Sequence, residues 1–232
     1  MNLGKGTKIL VIAAHPDDEV LACGGTIARA IDSGATVYCH FLGEGISSRF
    51  TEDQYDSQEF KEQTEIRMAG TKQALDLLGV QKVHYSNRLC AQFDKLPILS
   101  IVKEIEAAIE EFKPDVLLTH NPVEVNIDHR VTYHAVEIAC RPTGKYVPKE
   151  VYTFEIICSG SWMFDVAFKP NTYVDVGDYY DKKIAAWHCY EGEAREYPFP
   201  RSDKGIESLV NYRGVSINVA KAEAFRLVRK IV

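Results

Sequence analysis

Hydrophobic and polar positions follow two different periods along this chain. The run Ile9-Leu10-Val11-Ile12 is continuously apolar, and Lys8 to Ala14 is predicted as a buried strand. Val20 to Ser33 then carries a helical pattern that stops at Gly34, where a left-handed cap costs little. A second strand is expected at Ala35 to Leu42, a long polar loop at Gly43 to Asp56, and a helix from about Ser57 to Leu78, stopped by Gly79. The clearest periodicity lies in Pro97 to Phe112, where Ile98, Ile101, Val102, Ile105, Ile109 and Phe112 take the i, i+3, i+4 spacing of one buried face. Pro114 opens a strand at Asp115 to His120. A loop over Asn121 to Ile127 leads into a helix at about Asp128 to Cys140, with Asp128 as its expected N-cap.

Strand, helix, strand, helix at these spacings predicts an α/β fold with a mostly parallel sheet, right-handed crossovers and helices on both faces. Residues 1–145 read as a doubly wound core. After Arg141-Pro142 the pattern changes: Val151 to Ile157 and Trp162 to Phe168 read as an added C-terminal β-hairpin, followed by helices near Asp181 to Tyr190 and Ile206 to Arg213. Residues 146–232 are therefore expected to cover one end of the sheet. No repeat, low-complexity tract or linker divides the chain, so 1–232 is read as a single domain.

With 232 residues, 46% of them hydrophobic and 26% charged, the chain can bury one substantial core. A formal net charge of −6 argues against a nucleic-acid partner. The six cysteines are scattered without a Cys-x-x-Cys pair, which fits reduced thiols and a cytoplasmic location. No apolar signal core precedes the first strand and no window reaches 18 uninterrupted apolar residues, so neither secretion nor a membrane span is expected. Homo-oligomerisation is left open.

The candidate chemistry sits where the predicted strands end. Open parallel sheets bind ligands at the carboxyl ends of their strands. There the chain carries His15-Pro16-Asp17-Asp18-Glu19 after the first strand and Asn126-Ile127-Asp128-His129 after the strand ending at His120. Two imidazole nitrogens and one carboxylate oxygen, with a fourth position open, form a catalytic zinc set. His15, Asp18 and His129 can supply it, with Asp17 beside them to take a proton from an activated water. Fe2+ or Co2+ suits the same donors. The plainer reading makes each cluster a helix cap beside a satisfied histidine. Gly24-Gly25 lacks the G-x-G-x-x-G or Walker-lysine context of a phosphate loop, and close packing of helix on sheet explains it more simply.

The stretch AHPDDE at Ala14 to Glu19, together with a later Asp-His opening a helix, resembles the LmbE-like, or PIG-L, family of zinc-dependent de-N-acetylases. Arg67, Leu77-Leu78-Gly79, Phe93-Asp94, Thr119-His120, Asn126 to Arg130 and Ala222 to Phe225 look like further landmarks of that family. The resemblance implies a Rossmann-like fold without a dinucleotide, His15, Asp18 and His129 as metal ligands, and Asp17 as general base. It implies removal of acetyl from an N-acetylglucosamine-type small-molecule substrate. Arg67 matches an arginine expected to contact the sugar or an attached phosphate. One departure stands out: many members carry His-Pro-Asp-His where this chain has Asn126-Ile127-Asp128-His129. Asn126 can donate a hydrogen bond to an oxyanion but cannot deliver a proton. Protonation of the leaving amine then falls to Asp17 or to another group such as His120, and Asp128 either orients an imidazole or caps the helix.

Arg49 in the long loop, with Arg201 and Arg213 near the C-terminus, is a candidate contact to sugar hydroxyls or phosphate, with an ordinary surface charge as the alternative for each. Trp162 to Phe168 and Tyr197 to Phe199 could stack on a sugar ring or simply be buried. Rival functions are an amidase or esterase acting on another small metabolite, and a metal-dependent sugar-binding protein without catalysis.

Overall fold

The computed structural model describes residues 1–232. Seven strands form one sheet: β1 (Lys8–Ala13), β2 (Thr36–Gly43), β3 (Lys82–Arg88), β4 (Val116–His120), β5 (Glu150–Phe154), β6 (Thr172–Asp175) and β7 (Ala222–Lys230), in the order β3-β2-β1-β4-β5-β7-β6. The pairs β3–β2, β2–β1, β1–β4 and β4–β5 are parallel, and β7 lies antiparallel to both β5 and β6. The parallel part therefore runs on to Phe154.

Alternation along β1 divides the interior into two layers. Ile9, Val11 and Ala13 face a core built with α1 (Asp18–Asp32), α2 (Gln58–Leu78) and α5 (Tyr180–Trp187). Leu10, Ile12 and Ala14 face the other side, against α3 (Ile98–Phe112) and α4 (Ile127–Ala139). In α3 the periodic residues Ile101, Val102, Ile105 and Ile109 are all buried, each contributing about 1.5–3 kcal/mol relative to exposure. Gly34 and Gly79 both take positive φ, of 85° and 89°, and end α1 and α2 as their sequence positions imply.

Two expectations are corrected, and one strand is added. Trp162 to Phe168 forms no strand; it is an irregular segment over the sheet's carboxyl edge, and β5 pairs instead with β4 and with the distant β7. β3 goes beyond what the pattern indicated: it is an edge strand, half-exposed, so its composition lacks the apolar signature of its neighbours. Finally, α4 is capped by Asn126, whose Oδ1 accepts the Asp128 N–H at 2.9 Å; Asp128 lies inside the first turn and its carboxylate is used elsewhere.

One long-range contact sets the start of α1. The helix breaks at Cys23 (φ −143°), and the N–H groups of Gly25 and Thr26 that follow are accepted by the buried Glu223 carboxylate of β7, at 3.0 and 2.7 Å. Lys183 neutralises that carboxylate at 2.5 Å and donates to Leu21 O at 2.8 Å. The first turn, Asp18 to Cys23, is thus held at its own angle toward the strand ends. Gly25 is needed here because a Cβ would lie 2.8 Å from Val176 Cβ, just past β6, and Gly24 lies against Lys183 of α5, so the glycine pair packs closely but on a turn and a helix instead of on the sheet.

Candidate metal centre and the cavity above it

Both polar clusters meet at the carboxyl ends of β1 and β4, where the strand order reverses direction. His15 leaves the end of β1, Asp18 opens α1 and His129 sits in the first turn of α4. Their donor atoms lie within 4.8 Å of one another.

Each imidazole is oriented by a carboxylate. His15 Nε2 is 2.9 Å from Asp128 Oδ2, and Asp128 also accepts the N–H groups of Ala91 and Phe93, which leaves the Nδ1 of His15 3.7 Å from Asp18 Oδ2. His129 Nδ1 is 3.3 Å from Glu124 Oε2, and the Glu124 carboxylate takes the Ile156 N–H and the Ser159 hydroxyl as well. Asp18 Oδ2 accepts the His15 N–H at 2.9 Å. What remains is decisive for the fit. His129 Nε2 and Asp18 Oδ1 are both buried without any hydrogen-bond partner, 3.4 Å apart. A buried polar atom left unpaired costs about 1–3 kcal/mol. Two donors on a tetrahedral ion with bonds of about 2.1 Å stand about 3.4 Å apart, so these orphaned atoms fit a shared divalent ion.

The two imidazoles are charged differently. Burial lowers His15, but Cys90, Asp128 and Asp18 outweigh it and hold His15 above its ordinary value, so a metal ion would have to displace its proton. Burial alone would push the Asp18 carboxyl up, yet the imidazoles of His129, His120 and His15 around it win and hold it well below the usual carboxylate range. Burial lowers His129 to about 4 against the pull of Asp18, so at neutral pH its ring is the uncharged form that binds metals. Burial pushes Glu124 up to about 7.

Asp17 stands beside the ligands in a left-handed conformation (φ 114°) that non-glycine residues rarely adopt. Its backbone N–H is tied to Glu19 Oε2 at 3.0 Å, and Glu19, pushed by burial to about 8, is held in turn by the Tyr190 hydroxyl. Its Oδ2 accepts from Arg67 Nη1 and from Arg201 Nη1, each at 3.1 Å. A cavity of about 420 Å3 opens above this floor, and His15, Asp17 and Asn126 line it.

The structure brings His15, Asp17, Asp18, Asn126, Asp128 and His129 together and alters the setting of the others. His120 is fully buried, stacked on the His129 ring at 4.0 Å, with Nε2 accepting the Ala14 N–H. The expectations for His120 are corrected: it does not line the cavity, so neither a substrate contact nor protonation of a leaving amine by it has a direct path, and the strand end is covered by His129 and Asp18. Asp128 is fully buried, absent from the cavity lining, and holds His15 and the Ala91–Phe93 turn. Arg67 borders the cavity, but its nitrogens are taken by Pro16 O, Asp17 and Glu193, which makes it an orienting group for Asp17. Arg49 reaches the cavity rim and pairs with Glu193. Glu124 and Glu193 were not anticipated from sequence. Glu124 could have been found as a carboxylate five residues before His129; Glu193 carried no local signal.

No helix is long and apolar enough to cross a membrane. Among proteins of known identity, the chain is 27% identical to the diacetylchitobiose deacetylase of Thermococcus kodakarensis over 233 residues, covering 95% of this chain and 83% of that one. Its fold superimposes on N,N'-diacetylchitobiose deacetylase from Pyrococcus horikoshii with a TM-score of 0.76 at 23% identity, over 96% of this chain and 84% of the other. The 4-carboxy-2-hydroxymuconate hydratase of Pseudomonas putida has the same fold, with a TM-score of 0.76 at 20% identity over 97% and 98% of the two chains. The fold thus accommodates more than one reaction, and function has to be argued from the site. The profile of the PIG-L family, GlcNAc-PI de-N-acetylase, matches residues 10–140, more than half of the sequence, and the chain belongs to that family.

Proposed function

We propose that this protein is a zinc-dependent hydrolase that removes the N-acetyl group from an N-acetylglucosamine-type sugar or conjugate, giving acetate and a free amine. The observation that carries the reading is the pair of orphaned buried atoms, Asp18 Oδ1 and His129 Nε2, facing each other at the floor of a sugar-sized cavity. Family membership and the deacetylase relatives support the scissile bond. His15, Asp18 and His129 would hold the ion; zinc suits the set, and Fe2+ or Co2+ is accommodated by it. When bound, such an ion supplies a Lewis acid that polarises the acyl carbonyl and acidifies a water.

The chain's own residues divide the remaining work. Asp17, oriented through Oδ2 by Arg67 and Arg201, takes the proton of the attacking water as the new C–O bond forms. Asn126 uses Oδ1 to cap α4, so the group it has left for a ligand is its Nδ2 donor, which suits the oxygen that gains negative charge. Because that amide cannot release a proton, Asp17 returns the one it accepted to the leaving nitrogen as the C–N bond breaks. The deciding assay is acetate release from N-acetylglucosamine and diacetylchitobiose by zinc-loaded protein, wild type beside Asp17→Asn. Turnover in the wild type, with loss of at least about 100-fold in the variant at unchanged metal content, is the expected result. No acetate from either sugar overturns the activity, and full turnover in the variant overturns the role of Asp17.

A further inference from the structure

A second cavity, of about 210 Å3, is lined from α4, β5 and β7 and shares no residue with the cavity above the metal centre. Tyr133, Val136, Glu137 and Cys140 reach it from one side of α4 and its C-cap, at the i, i+3, i+4, i+7 spacing of a single helical face. Thr153 comes from the face of β5 that alternates with the core residues Tyr152 and Phe154. Arg229 arrives by a bulge. Val151 pairs with Arg229 but Tyr152 pairs with Leu227, so Val228 is an extra residue in β7. Strict alternation would send Arg229 the same way as Phe225 and Leu227, into the layer under α1; the bulge turns it, beside Val228, toward α4.

The guanidinium placed there is only partly used. Arg229 Nη1 donates to Cys140 O at 2.5 Å, at the C-terminal end of α4, while Nε and Nη2 are buried without a hydrogen-bond partner. Those two nitrogens form the edge that takes a carboxylate by two parallel bonds, as Arg213 takes Glu155 through the same pair of atoms at 2.7 Å each. Thr153, 1% exposed, leaves its hydroxyl unpartnered on the same cavity. Glu137 is the one carboxylate on the wall. Its oxygens accept from the Tyr133 hydroxyl at 3.3 Å and lie 3.2 Å from His134 Nδ1, and it makes no ion pair with Arg229. Three buried polar atoms without partners on one small cavity are costly unless a ligand brings the acceptors.

We propose that this second cavity binds a short-chain carboxylate, with its two oxygens on Nε and Nη2 of Arg229, the Thr153 hydroxyl donating to one of them, and its alkyl chain against Val136, Val151 and Val228. The volume lies below the about 300–1,000 Å3 of sites for drug-sized ligands, so the occupant has few heavy atoms. A single cation, set among valines and next to the Glu137 carboxylate, suits a planar monoanion better than a phosphate dianion. The site does not depend on the deacetylase reading.

The test titrates the zinc-loaded protein with butyrate and follows the 15N–1H signal of Arg229 Nε, identified by its loss in Arg229→Lys. This readout separates the site from any butyrate held by the metal ion or by the arginines of the other cavity. The signal should shift saturably with butyrate and stay in place with 1-butanol, which keeps the chain and lacks the anion. In Thr153→Val, which removes only the unpartnered hydroxyl, the butyrate affinity read from that signal should fall about 10-fold. If Arg229→Lys does not fold, the backbone amides of Val228 and Arg229, assigned through the chain, carry the same readout. No saturable shift, an equal shift with butanol, or unchanged affinity in Thr153→Val overturns the proposal. Inorganic phosphate should compete less well than butyrate, and equal or tighter binding of phosphate overturns the choice of a carboxylate.

Discussion

Replacing Asp128 by Asn tests whether the centre depends on the group that orients His15. Asp128 is fully buried and all its contacts come from donors: Phe93 N–H on Oδ1 at 3.0 Å, Ala91 N–H and His15 Nε2 on Oδ2. An amide keeps the shape but turns one acceptor into a donor. With its oxygen in the place of Oδ2, the amide retains Ala91 and His15 and opposes the Phe93 N–H; turned over, it opposes Ala91 and drives His15 into the tautomer whose Nδ1 carries the proton. The first arrangement costs less, roughly 1–3 kcal/mol for one unpaired buried donor. It also exchanges a charge-assisted bond to the metal ligand for a neutral one. Loss of such an outer partner lowers metal affinity about 10–100-fold. Urea denaturation of the metal-free protein gives the first number and competition with a chromogenic chelator gives the second. Wild-type zinc affinity in Asp128→Asn, with the variant folded, would refute the orienting role.

The remaining predictions concern the ligand set, an acid-sensitive pair and a helix contact. His129→Ala should reduce bound zinc from about one per chain to little by elemental analysis, and equal content in both proteins would break the link between the two motifs. Glu104 accepts from His40 at 2.6 Å, Arg88 at 2.5 Å and the Ser86 hydroxyl. Burial raises its carboxyl, but these donors prevail and lower it to about 2 from an ordinary 4.5. The unfolded chain binds this proton more readily, so the contribution is present above about pH 4.5 and is lost as pH falls toward 2. His40, lowered by burial, acts in the same direction below pH 6.5. With solvent screening the carboxylate contributes about 1–2 kcal/mol, so the stability gap between wild type and Glu104→Gln should narrow from pH 5 to pH 3; a constant gap contradicts this. Gly70 lets α2 approach the end of α5, since a Cβ there would lie 2.4 Å from Cys189 O. Gly70→Ala should lower Tm by several degrees, at about 1–3 kcal/mol, despite the better helix propensity of alanine, and an unchanged Tm would show that the contact can relax.

What could be read from the chain was local. A continuous apolar run reported β1, a 3.6-residue stripe reported α3, and glycines at positive φ ended α1 and α2, because each of these depends on neighbours in sequence. The His-Pro-Asp-Asp-Glu and Asp-His clusters were visible for the same reason, and the rule that ligands gather at the carboxyl ends of parallel strands was enough to bring them together. Partner choice was not visible. Trp162 to Phe168 has strand composition but no strand beside it, whereas β5 found β7, more than 60 residues away. Asn126 and Asp128 offer the same capping chemistry two residues apart, and only the approach of Phe93 and His15 assigned the cap to Asn126 and the metal ligand's carboxylate to Asp128. Arg67 had its nitrogens claimed by Glu193 from a distant loop, and His120 was sealed under His129. The amino-acid sequence by itself determined which elements form and which groups could carry the chemistry. Tertiary structure alone decided which of those groups face the cavity and which are spent holding others, because a buried polar atom must take its partner from whatever the fold brings within reach.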